Sequence, residues 1–80
     1  MKLPRNVSGQ QLAKALAIYG YAVTRQSGSH MRLTTTTGGQ HHLTIPDHAQ
    51  LRVGTLAAIV ADVAQHLGST REEITTQLFG

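Results

Sequence analysis

The segment RQSGSHMRL, residues 25–33, sets an imidazole, His30, directly after a Gly28-Ser29 turn, with Arg25 before it and Arg32 just after. Histidine titrates near neutrality and so takes or gives protons, while arginine offers fixed donors to phosphate oxygens. Four further histidines follow, His41, His42, His48 and His66, making five in 80 residues. His48 stands two residues after Pro46, in IPDH. A metal site built from His30, His42 and His48 matches no defensible ligand spacing, so no metal or other cofactor is expected. Cysteine is absent, which excludes disulfides, thiolate catalysis and Cys-containing zinc sites together.

Charge sets the context for these side chains. Seven Lys and Arg against four Asp and Glu give +3 with neutral histidines. Lys2, Arg5, Lys14, Arg25, Arg32 and Arg52 all precede residue 53, where the only acid is Asp47. Asp62, Glu72 and Glu73 fall later. A basic body with an acidic end suits a polyanionic partner, although a plain solvated surface gives the same composition. No apolar run reaches membrane-spanning length, and no apolar region follows the basic residue of MKLPRNVSGQ. A single cytoplasmic domain over 1–80, held by packing alone and monomeric when free, is expected.

The elements that must position the histidines are legible from period and caps. Ser8 to Gly20 reads as a helix, with Ser8 and Gln11 in capping-box spacing and Leu12, Ala15, Leu16 and Tyr19 on one stripe. Three alternating segments, 21–26, 30–36 and 40–45, read as strands separated by SGS and TGG turns, and Pro46 ends the third. A second helix is expected from GTL, capped by Thr55 and buried through Leu56, Ile59, Val60, Val63 and Leu67. Gly68 ends it, and Ser69 with Glu72 repeats the capping-box pattern before a short last helix carrying Ile74 and Leu78. The order α-β-β-β-α with a short extra helix predicts an α+β two-layer sandwich. Tyr21, Val23, Met31, Leu33, Leu43 and Ile45 form its covered face. This architecture resembles the double-stranded-RNA-binding-domain fold.

Strand parity then places the imidazoles. With Met31 and Leu33 inward, His30, Arg32 and Thr34 face outward; with Leu43 and Ile45 inward, so does His42. A two-residue Gly38-Gly39 turn would set Leu33 against Thr44 and is disfavoured, whereas a three-residue register sets His30 opposite Pro46, and a five-residue one sets it opposite His48. By this count His41 points toward the core, and His66 complements the end of the second helix. A histidine on an exposed sheet face is most often a solvated polar residue, and parity alone does not make His30 catalytic. Two features favour an anionic ligand. The start of the second helix, at Gly54-Thr55, carries no acid and has Arg52 before it. The Gly28-Ser29 turn offers backbone N–H groups with little bulk.

In series, KLPRNVSGQQLAKAL, GYAVTRQSGSH, IPDH, LRVGTLAAIVADV and STREEI resemble the HicA toxins of bacterial toxin–antitoxin pairs, in the right order along nearly the whole chain. The resemblance implies a metal-independent endoribonuclease that cleaves messenger RNA and is neutralised by a HicB-like antitoxin. It assigns catalysis to His30 and a supporting role to His48; a histidine suits the general base of such cleavage, with His48 or a water as the candidate acid. Arg5, Lys14, Arg25, Gly28, Ser29, Arg32, Arg52, Gly54 and Thr55 are the expected RNA contacts. The Thr-rich hairpin and the His41-His42 pair depart from the family pattern. The rival expectation is a non-catalytic double-stranded-RNA-binding module of the same fold.

Overall fold

The computed structural model describes residues 3–80, so Lys2 lies outside the described residues. Its elements are α1 (Gly9–Ala15), a 3-10 turn (Leu16–Tyr19), β1 (Ala22–Ser27), β2 (His30–Thr35), β3 (His41–Pro46), α2 (Val53–Leu67) and α3 (Arg71–Phe79). The strands form one antiparallel sheet in the order β1-β2-β3. This is the expected α+β arrangement.

Both bonds of the first capping box are made. The Gln11 N–H donates to Ser8 Oγ at 3.0 Å, and the Ser8 N–H donates to Gln11 Oε1 at 2.8 Å, satisfying two otherwise orphaned donors. Leu12 and Leu16 are fully buried against Met31, Leu33, Leu43 and Ile45 of the sheet and Leu56, Val60, Val63 and Ile74 of the later helices. Burying each such side chain contributes about 1.5–3 kcal/mol. The β2–β3 register sets Leu33 opposite Leu43 and His30 opposite Pro46, so apolar pairs meet apolar pairs. It is the register expected of the shorter loop.

Three expectations are corrected. Val23 is 48% exposed, and no residue of β1 is buried. The reason is that α1 and α2 pack on β3, leaving β1 as an uncovered edge. Thr55 does not cap α2: Arg52, in extended conformation, is the N-cap, without a side-chain bond, and the helix begins at Val53. Its first turn does lack an acid, as expected. Finally, Thr70 and not Ser69 caps α3, its Oγ1 accepting the Glu73 N–H at 3.1 Å. Ser69 is committed elsewhere, because its N–H donates to the Ala64 carbonyl at 2.9 Å and closes α2.

His41 turns inward, as parity expects. Its Nε2 donates to Asp62 Oδ1 at 3.1 Å, and its Nδ1 lies 2.7 Å from the Tyr21 hydroxyl. The His66 ring stacks on it at 4.3 Å, and the His66 Nε2–H donates to the Thr37 carbonyl at 2.9 Å. His66 therefore joins α2 to the β2–β3 loop besides sitting in the last turn of its helix. Burial, and then the Asp62 charge, push the Tyr21 hydroxyl up to about 12. The folded protein keeps this proton at pH values where the unfolded chain has lost it. Stability is thus complete below about pH 10 and declines as the pH rises toward 12. Tyr21→Phe is expected to cost about 1 kcal/mol at neutral pH through the lost hydrogen bond. It should also flatten the alkaline decline in urea-unfolding free energy.

Candidate active site

The β1–β2 hairpin builds the site's rim. Ser27 pairs with His30 across a two-residue turn in which Gly28 has φ +58° and Ser29 a negative φ, the type II′ pattern that matches strand twist. A Cβ at Gly28 would meet nothing within 4 Å. Glycine is needed there for its backbone conformation and not for space. His30, the first residue of β2, is exposed, and neither ring nitrogen bonds another described residue.

A bulge decides where Arg25 goes. Ala22 pairs with Thr34 and Val23 with Leu33, but beyond the irregularity Arg25 pairs with Arg32, Gln26 with Met31 and Ser27 with His30. Without the extra residue, Thr24 would face Arg32, and Arg25 would face the buried Met31. The bulge brings Arg25 to the open face beside Arg32. Two like charges directly opposite are unfavourable in a free sheet, and an anion between them relieves that. The open face thus carries His30, Arg25, Arg32, Thr24, Thr34, His42 and Thr44.

The IPDH segment forms the second wall. His48 is exposed, and its carbonyl accepts the Gly9 N–H at 2.9 Å. A Cβ at Gly9 would stand 2.1 Å from the Pro46 carbonyl oxygen, so α1 reaches this segment only because residue 9 has no side chain. Asp47 anchors three elements. Its N–H donates to the Ser29 carbonyl at 2.6 Å, Oδ1 accepts the Gln10 amide and Oδ2 the Gln26 amide, both at 3.1 Å. Further on, the Gln50 amide donates to the Arg5 carbonyl at 2.9 Å and the Leu51 N–H to the Val7 carbonyl at 2.7 Å.

Gly28, Ser29, His30 and His48 are accordingly brought to one end of the sheet. Arg5 and Arg52 lie along the paired strips that lead away from it, and Gly54 and Thr55 follow at the start of α2. Lys14 is not gathered with them; it lies on α1, one turn past Gln10, in the helical layer. Sequence reasoning missed Gly9, Gln10, Gln26 and Asp47. The available signals were a glycine inside the first turn of a capped helix and the one acid among the first 52 residues.

A groove of about 620 Å³ between Leu3–Arg5 and α3 is lined by Phe79 and Glu72 among others and contains no histidine. The histidines of the open face thus lie outside that groove. Among the described residues, no three His, Asp or Glu side chains are grouped to hold a metal ion. No described helix is long and apolar enough to cross a membrane.

The chain is a small basic α+β domain whose uncovered sheet face presents imidazole and guanidinium groups to solvent. More specifically, the sequence model of the HicA toxin of bacterial toxin–antitoxin systems matches residues 9–68, and the chain belongs to that family. It is thus the toxin of a pair whose other member is an antitoxin. Neither the curated proteins nor the solved structures yield a match. Gly9→Ala is expected to destabilise the protein by about 1–3 kcal/mol in urea, through the clash with Pro46. It should also displace the amide resonances of Asp47 and His48. Gly28→Ala, strained but not obstructed, should cost about 1–2 kcal/mol and leave those resonances in place.

Proposed function

We propose that this toxin is an endoribonuclease that cleaves messenger RNA without a metal ion and is neutralised by a HicB-like antitoxin. The observation that carries the reading is the exposed, uncommitted His30 at a glycine turn, on the face where a bulge sets Arg25 against Arg32. His30 takes the proton of a ribose 2′-hydroxyl. The 2′-oxygen attacks the adjacent phosphorus, a bond to the 5′-oxygen of the next nucleotide breaks, and that oxygen receives a proton from His48 or from water. Such general-base assistance contributes roughly 10²–10⁴-fold.

Arg25 and Arg32 hold the charge that grows on the phosphoryl oxygens. The N–H groups of Gly28 and Ser29, together with Arg5, Arg52 and the start of α2 at Gly54 and Thr55, follow the backbone phosphates. Lys14 is reached only by RNA that passes around the edge of the sheet. DNA lacks the 2′-hydroxyl and would survive.

The test is labelled RNA in EDTA with purified wild type, His30→Ala and His48→Ala. Wild type should cleave, and His30→Ala should lose at least 100-fold in single-turnover rate while still binding. His48→Ala should be slowed about tenfold or more if it supplies the acid. Binding without cleavage by the wild type would favour the non-catalytic RNA-binding module instead.

A further inference from the structure

Thr24, Thr34 and His42 form a hydrogen-bonded chain across all three strands on the open face. Thr24 Oγ1 donates to the Arg32 carbonyl at 3.3 Å and lies 2.9 Å from Thr34 Oγ1, which lies 2.8 Å from His42 Nδ1. With all three contacts made as hydrogen bonds, counting protons sets the direction of each. A hydroxyl has one proton to give. Thr24 spends its own on a carbonyl, which only accepts, so Thr34 must donate to Thr24. Thr34 then has none left, and the His42 Nδ1–H must donate to it. The neutral His42 ring therefore carries its proton on Nδ1 and keeps a lone pair on Nε2. A partner on one ring nitrogen sets the tautomer and hence the chemistry of the other.

The chain serves no evident packing purpose. Thr24 and His42 are exposed and Thr34 is half-buried, and the core lies on the opposite side of the sheet. What the chain does achieve is an oriented acceptor beside two guanidiniums that can only donate. Arg25 and Arg32 offer only N–H groups and suit phosphates. A neutral acceptor beside them needs a ligand with a proton to give, which a phosphodiester lacks. The 2′-hydroxyl is the donor that every ribonucleotide carries, whatever its base.

We infer that His42 Nε2 accepts a hydrogen bond from a ribose 2′-hydroxyl of RNA lying along the sheet, a binding contact that selects RNA over DNA. The inference rests on the RNA reading above but not on the catalytic role of His30. His42 pairs with Thr34, four strand residues from His30, or about 13 Å at about 3.3 Å per residue. The two imidazoles thus serve different nucleotides, with the Arg25–Arg32 pair between them.

Two measurements test this, both made at pH 8. In ¹⁵N spectra of the free protein, His42 should show the Nδ1–H tautomer, and Thr34→Val should return it to Nε2–H. For binding, His30→Ala protein is titrated with a short single-stranded RNA and with DNA of the same sequence. Adding His42→Phe should weaken RNA binding about five- to tenfold and leave DNA binding unchanged, while adding Thr34→Val should give a smaller loss in the same direction. An Nε2–H tautomer in the unsubstituted protein overturns the inference. So does an RNA-to-DNA affinity ratio that His42→Phe leaves unaltered. If the His30→Ala protein binds neither nucleic acid, the RNA reading of the whole face falls and this contact falls with it.

Discussion

The approach of Gly9 to the Pro46–His48 segment is the constraint on which the rest of the site depends. An ordinary side chain at residue 9 would occupy the place of the Pro46 carbonyl oxygen. With hydrogen there instead, the first turn of α1 lies directly on the exit of β3, and the Gly9 N–H binds the His48 carbonyl. The same contact places Gln10 beside Asp47, whose other oxygen holds Gln26 of the hairpin. A helix start, a hairpin and a strand exit are thereby locked to one carboxylate. His30 and His48, which are far apart in the chain, take their relative position from that lock. For the proposed RNA cleavage such supports matter, because proton transfer demands near-ideal separation.

The open face shows local preference giving way to another demand. A regular β1 would have paired Thr24 with Arg32 and turned Arg25 toward the core side. The bulge reverses this and sets two guanidiniums against each other, an arrangement that costs stability in the absence of a partner. Departures of this kind from local consistency concentrate where a protein meets its ligand. Thr24, the inserted residue, is at the same time the anchor of the chain that orients His42.

Two adjacent histidines have opposite fates for a reason of parity alone. His41 faces the helices, where Tyr21 and Asp62 occupy both ring nitrogens and His66 stacks on its plane. It joins the strands to α2 and has no free nitrogen. His42, one residue on, faces outward, is held from one side only and keeps its second nitrogen free. A shift of one residue in the β2–β3 register would exchange them. The pairing of Leu33 with Leu43 prevents that shift, since it keeps apolar side chains on the covered face.

The element order, the core stripes, the outward parity of His30, Arg32 and His42 and the inward turn of His41 were legible in the chain alone, and the β2–β3 register was narrowed there to two, of which folding selected the one that sets His30 opposite Pro46. What was legible follows from short-range periodicity, caps and turn chemistry, which act over a few residues. The motifs in series also sufficed to point to the toxin family that the match over residues 9–68 shows. Tertiary structure alone decided the exposure of Val23, which depends on where the helices lie over the sheet. It decided the bulge at Thr24, because a strand segment carries no local mark of which partner residue it will skip. The Asp47 anchor and the need for glycine at residue 9 belong to the same kind. Both join residues far apart in the chain, from Ser29–Asp47 to Gly9–Pro46, and such a contact has no periodic trace in the chain until folding closes the loop between its ends.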